Sequence, residues 1–99
     1  MKDVIRKHII FYGSVQGVGF RYRARNAAAL LGATGWVRNE YDGTVSMEIQ
    51  GTEEVIDKVI EMISKGTFVF IEDMQVRRIP IIEGEREFRY EYNQINNSK

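Results

Sequence analysis

Apolar and polar positions along this chain recur in blocks whose period changes at glycines. Ile5 to Tyr12 reads as a first strand that ends in an apolar, β-favouring cluster. Beyond it the spacing turns helical, with Phe20, Ala24, Ala27, Ala28 and Leu31 on one stripe and Arg21, Arg23, Arg25 and Asn26 off it. This pattern predicts a helix from about Val18 to Leu31, closed by Gly32, with Arg23 and Arg25 on a solvated face. Thr34 to Asn39 predicts a short second strand, and Tyr41-Asp42-Gly43-Thr44 a hairpin turn in which Asp-Gly takes left-handed dihedrals. Thr44 to Gln50 then alternates. Val45, Met47 and Ile49 face one way, and Thr44, Ser46, Glu48 and Gln50 the other, as in a half-buried antiparallel strand.

Gly51-Thr52 breaks that alternation, and Thr52 can cap a second helix whose buried stripe is Ile56, Val59, Ile60 and Ile63. Glu53 and Glu54 suit its positive end, and Gly66 terminates it. Phe68 to Ile79 reads as a strand interrupted near Glu72-Asp73 and stopped by Pro80. Phe88, Tyr90 and Tyr92 alternate as a last strand, and the polar stretch Asn93 to Lys99 is expected to fray. The order is βαββαβ with an extended fourth strand. Right-handed crossovers then place both helices on one face of a mostly antiparallel sheet, an α+β ferredoxin-like sandwich. RNA-binding domains and metabolite sensors share that layout, so topology alone does not choose an activity.

Ninety-nine residues are expected to form one domain, with its core at about 5–92 and a polar tail at 93–99. At 43% hydrophobic and 28% charged residues the composition is that of an ordinary globular chain, and no apolar run is long enough to span a membrane. The absence of cysteine removes disulfides, thiol nucleophiles and thiolate metal sites, and fits a cytoplasmic location, as does a start with no apolar signal core. Net charge is zero but uneven: seven Lys/Arg against one Asp up to Asn39, then seven against thirteen Asp/Glu. A positive field near the first half would draw in a small anion. The balanced total, without a basic run, argues against a nucleic-acid footprint. His8, the single histidine, reads as structural among its basic neighbours.

Candidate chemistry concentrates in Tyr12-Gly13-Ser14-Val15-Gln16-Gly17-Val18-Gly19-Phe20-Arg21. Glycines between a strand and a helix allow a tight turn whose N–H groups, with the helix N-terminus, form an anion-binding concavity. Arg21 in the first helical turn can lay its guanidinium on the same anion, and the macrodipole disfavours a cation there unless something negative compensates. On shape alone an ordinary tight turn without a ligand is the commoner reading of such a segment, and the arginine in the first helical turn shifts the balance toward an anion site. A Walker loop is excluded, because no Gly-Lys-Ser/Thr follows, and the glycine spacing is not that of a dinucleotide fingerprint.

Gly13-Ser14-Val15-Gln16-Gly17-Val18-Gly19-Phe20-Arg21 resembles the first signature of the acylphosphatase family. Gly35-Trp36-Val37-Arg38-Asn39, followed by Gly43, Val45 and Gly51, resembles its second. The resemblance covers roughly Ile5 to Tyr90. It implies hydrolysis of the carboxyl–phosphate bond of small acyl phosphates, with inorganic phosphate as product and no metal or cofactor. By the same resemblance Arg21 binds phosphate, Asn39 positions the attacking water, and the backbone of Val15, Gln16, Gly17, Val18, Gly19 and Phe20 cradles the phosphoryl group. Gly13, Gly17 and Gly19 then shape the loop, and Gln16 bonds loop backbone. Trp36 reads as a core or pocket-wall side chain, and no chemistry falls to Tyr22, Tyr41, Tyr90 or Tyr92. The expected partners are small acyl phosphates, not nucleic acid or membrane, and the chain is expected to be a monomer. The family domain also occurs within larger maturation proteins that handle carbamoyl phosphate; the free-standing length points to the small enzyme. The competing class is a non-catalytic phosphoryl-ligand or RNA-binding module on the same fold. RNA fits less well, because the Val45, Met47, Ile49 strand lacks an exposed aromatic ladder.

Overall fold

A computed structural model describes residues 3–93. Its elements are β1 (Ile5–Ser14), α1 (Phe20–Leu31), β2 (Thr34–Asn39), β3 (Val45–Gly51), α2 (Glu53–Ser64), β4 (Phe70–Ile79) and β5 (Phe88–Tyr90). They make one sheet in the order β4-β1-β3-β2-β5, antiparallel except where β5 runs parallel to β2. The α+β sandwich expected from the pattern is therefore present, with the last strand short and at its edge.

The core is what the two periods predict. Ile9, Phe11, Val37, Val45, Met47 and Ile49 meet Phe20, Ala24 and Ala28 of α1 and Ile56, Val59 and Ile63 of α2, all fully buried or nearly so. The alanines of α1 leave room for Phe20, whose ring packs edge-on against Phe11 at 4.8 Å. Thr52 caps α2 by accepting from the Val55 N–H at 3.2 Å. Gly32 closes α1 in the left-handed conformation, φ 79°, and the Ala33 N–H bonds Ala28 O at 2.9 Å, as a C-terminal glycine should.

Several expectations shift. Helix α1 begins at Phe20, not Val18, because Gly19 sits at φ 82°, which an α-helix cannot take. Strand β4 begins at Phe70, and β5 ends at Tyr90 with Tyr92 beyond it. Trp36 neither belongs to the core nor lines the candidate site. It lies half-exposed on the face of the sheet away from the helices, with the Arg38 guanidinium 4.8 Å from its ring centroid and His8 edge-on at 6.1 Å. His8 is structural, 3.2 Å from Glu48 Oε2. Thr44 and Ser46, expected to face solvent, are buried. Of the polar tail, Asn93 is described and hydrogen-bonded; residues 94–99 lie outside the described part.

That second face also holds Arg6, which is completely buried. Its Nε donates to Glu48 Oε1 at 3.0 Å, and its Nη1 donates to Glu85 Oε1 at 2.7 Å and Gln50 Oε1 at 3.1 Å. Burial works to raise the Glu85 carboxyl, but hydrogen bonds from Arg6 and Thr34 and the charges of Arg6 and Arg89 outweigh it and hold the group below its ordinary value of 4.5. A carboxyl depressed on folding stabilises the fold above the unfolded value and loses that contribution as pH falls through the folded one. The melting temperature should therefore drop as pH is lowered from about 5.5 to about 3, and Glu85→Gln should flatten that slope. A melt with the same slope in both proteins would remove Glu85 from the acid response.

Candidate active site

Strands β1 and β2 both pair antiparallel with β3, so they run the same way and end at the same edge of the sheet. Strand β5, parallel to β2, ends there too. The loop leaving β1, the last residue of β2 and the chain leaving β5 consequently converge, although they are far apart in sequence. Val15, Gly17, Gly19, Phe20, Arg21 and Asn39 line one concavity of about 210 Å³. Tyr22, Tyr90 and Tyr92 complete its wall. Of the residues singled out in the sequence, the side chains of Gln16 and Val18 point elsewhere: Gln16 into the neighbouring turn and Val18 onto the core.

Local structure explains the convergence. Gly17 and Gly19 hold φ of 73° and 82°, and a Cβ on either would meet nothing within 4 Å, so backbone conformation and not crowding calls for glycine. Gly13 is different: φ is 125° and a Cβ there would drive into the β4 backbone at Phe70 and Glu72. Helix α1 starts with no side-chain cap and no acidic residue in its first turn. Its first recorded bond runs from the Arg23 N–H to Gly19 O at 3.0 Å, so the N–H groups of Phe20, Arg21 and Tyr22 have no intrahelical acceptor. An anion is the natural complement to that end.

Asn39 is fixed from both sides. Gln16 Nε2 donates to Glu40 O at 2.7 Å and Thr44 O at 2.8 Å, tying the glycine loop to the turn that follows β2. That turn is itself closed by Asp42, whose Oδ1 accepts from the Thr44 N–H at 3.0 Å and its hydroxyl at 2.6 Å. On the other side Asn93 Nδ2 donates to Asn39 O at 2.7 Å. The Asn39 side-chain oxygen is buried yet accepts no hydrogen bond from any described residue. A buried acceptor in that state has a use or a cost. Beside it, Arg21 makes no ion pair among the described residues; its Cζ lies 5.8 Å from the Tyr90 ring centroid and 5.9 Å from that of Tyr92. The carboxylate next to Asn39 in sequence, Glu40, accepts from Arg38 Nε at 2.9 Å. Burial tends to raise its carboxyl, but hydrogen bonds from Ser46, Arg38 and Asn93 prevail and keep it low.

Among the described residues the site thus joins a guanidinium with no ion pair, helix N–H groups with no intrahelical acceptor and an amide oxygen with no donor, a set that suits a small oxyanion with a water beside it. Comparison with known proteins gives the same direction. The model of the acylphosphatase family matches residues 7–90. The chain belongs to the acylphosphatase family. An acylphosphatase of Geobacillus kaustophilus is 41% identical over 88 residues, 88% of this chain and 94% of that protein. One from Clostridium beijerinckii is 38% identical over 90 residues, covering 90% of this chain and all of the relative. The crystal structure of acylphosphatase from Bacillus subtilis superimposes with a TM-score of 0.80 at 34% identity, covering 89% of this chain and 99% of that one.

Beyond the two acylphosphatase signatures, the structure adds Tyr22, Tyr90, Tyr92 and Asn93 to the site. The alternating Phe88, Tyr90, Tyr92 pattern was visible, but only the parallel register, which sets Tyr90 opposite Val37, brings those rings to Asn39. Arg25 is exposed, as its solvated face predicts, and its guanidinium lies 5.0 Å from the Tyr90 centroid. Tyr41 stays exposed and takes no part. Among the described residues no cluster of His, Asp or Glu has metal-ligand geometry, and no helix is long and apolar enough to cross a membrane.

Proposed function

We propose that this chain hydrolyses the carboxyl–phosphate bond of small acyl phosphates, using Arg21, the backbone amides from Val15 to Phe20, and Asn39. The observation that carries this reading is the buried side-chain oxygen of Asn39, without a partner among the described residues, on a residue that lines the same concavity as Arg21, which pairs with no described carboxylate. Family membership supports the reaction class. Arg21 and the amides hold the non-bridging oxygens of the phosphoryl group and offset charge that builds in the transition state. Asn39 Oδ1 accepts from one water and aims its oxygen at phosphorus, in line with the leaving group. The new oxygen–phosphorus bond forms as the bond to the acyl oxygen breaks, and carboxylate leaves without needing a strong acid. Asparagine is no base at neutral pH, so the water's proton passes to a phosphoryl oxygen of the substrate. Tyr22, Tyr90 and Tyr92 wall off the acyl side.

Turnover of acetyl phosphate and benzoyl phosphate in a chelator-containing buffer tests the proposal. The wild-type chain should turn over both, and Asn39→Ala should lower kcat about a hundredfold with its circular dichroism unchanged. An inactive, folded wild-type chain would leave a non-catalytic phosphoryl-binding module in place of the enzyme. Asn39→Ala at near-wild-type rate would move the water elsewhere.

A further inference from the structure

Strand β4 is one edge of the sheet, ten residues long, and no described residue pairs with its outer side. Long uncovered edges are usually blunted, because their free N–H and C=O groups template further pairing. Among the described residues its one side-chain cover is at Met74, whose N–H donates to the neighbouring Asp73 Oδ1 at 2.8 Å. Register with β1 gives its faces. Val76 lies opposite Ile9 and Met74 opposite Phe11, on the helix side. Asp73, Gln75 and Arg77 lie opposite Tyr12, Ile10 and His8, on the other side. Neither helix covers the first set, and Met74 and Val76 are 39% and 49% exposed.

The sequence Asp73-Met74-Gln75-Val76-Arg77 reads as the complement of itself when reversed. A two-fold axis through Gln75, perpendicular to the sheet, sets Asp73 against the second copy's Arg77, Met74 against Val76, and Gln75 against Gln75. Each pair shares a face, as antiparallel pairing requires. Among the described residues neither Asp73 nor Arg77 is committed to an ion pair within its own chain, and four residues apart on a strand they are too distant to meet. We infer that β4 is a homodimer interface, pairing antiparallel with a second copy of this chain through residues 73–77. The Met74 and Val76 side chains of both copies form an apolar cluster on the helix side. Opposite charges and a glutamine pair close the other side. On pairing, the Met74 N–H exchanges Asp73 Oδ1 for the second copy's Val76 carbonyl, which frees the carboxylate for Arg77. Because the contact is isologous it uses the β4 edge of both copies and closes as a pair, and the bulge at Glu72, where register with β1 shifts, breaks the regular edge just before residue 73. This departs from the monomer expected from the sequence and is independent of the catalytic reading.

Sedimentation equilibrium from about 10 µM to about 1 mM tests it, because so short an interface should be weak. The wild-type chain should show a monomer–dimer equilibrium that weakens in high salt. Asp73→Arg, which sets arginine against arginine twice, should weaken dimerisation at least about tenfold. The double variant Asp73→Arg with Arg77→Asp should restore it to within about threefold, since the pairs are only exchanged. Both side chains are exposed, so the variants should fold, and circular dichroism would check it. A wild-type monomer throughout, open-ended assemblies, or a dimer that Asp73→Arg leaves intact would each overturn the inference.

Discussion

Arg21→Ala is expected to lower kcat/KM for benzoyl phosphate about a thousandfold while leaving the fold intact. Among the described residues that line the concavity, Arg21 is the one side chain carrying a full positive charge. The remaining partial charges come from the uncapped start of α1. Removing the guanidinium deprives the equatorial oxygens of a two-pronged, charge-assisted donor at the moment their charge peaks, so kcat should fall more than KM rises. Arg21→Lys should recover only part of the rate, because an ammonium supplies charge without the fork. Stability should change little: the guanidinium makes no ion pair among the described residues and rests over the rings of Tyr90 and Tyr92. A folded Arg21→Ala chain within tenfold of the wild-type rate would contradict its role.

The second large effect is structural. Arg6→Met should destabilise the chain by about 3–5 kcal/mol. Such a loss approaches the whole margin of a weakly stable domain. Methionine fills much of the stem's volume, so little of the cost is a cavity. What remains is Glu85, whose side chain is 7% exposed, and Glu48, at 21%, without the cation that both faced. Urea denaturation reads the difference as a midpoint lowered by about 2–3 M, taking a slope near the low end for small proteins. Replacing Glu85 together with Arg6 should give back part of the loss, because the more deeply buried of the two carboxylates is then no longer stranded. A midpoint unchanged in Arg6→Met would mean that water reaches Glu85 and that the cluster adds nothing.

What the sequence revealed and what it hid follow from the range of the interactions. The stripes of α1 and α2, the Thr52 cap and the Asp42-Gly43 turn depend on neighbours within a few positions, and each appears where the pattern puts it. Arg6 lies in the first strand with nothing in its neighbours to mark it as buried. Its partner Glu85 is 79 positions away, and no local period encodes their meeting. Asn93 likewise holds Asn39 from 54 positions away, through a parallel pairing of β5 that a three-residue strand scarcely announces. The helical reading begins at Val18, yet the left-handed Gly19 after it keeps that residue outside the helix. Trp36 looked like a core residue because of its size. Odd–even alternation with buried Gly35 and Val37 assigns it to the opposite face instead. The candidate site was legible for a related reason: a loop with two left-handed glycines advertises itself in composition, and Arg21 and Asn39 sit in runs specific enough to name.

Inorganic phosphate, the expected product, probes the arrangement without relying on turnover. In a titration followed by amide nitrogen–proton correlation spectra, the resonances of residues 15–20, the Arg21 side-chain Nε–H and the Asn39 carboxamide should shift together along one saturable curve, and Arg21→Ala should abolish it. Shifts confined to other surfaces, or saturable binding undiminished in Arg21→Ala, would contradict a phosphoryl site at the start of α1.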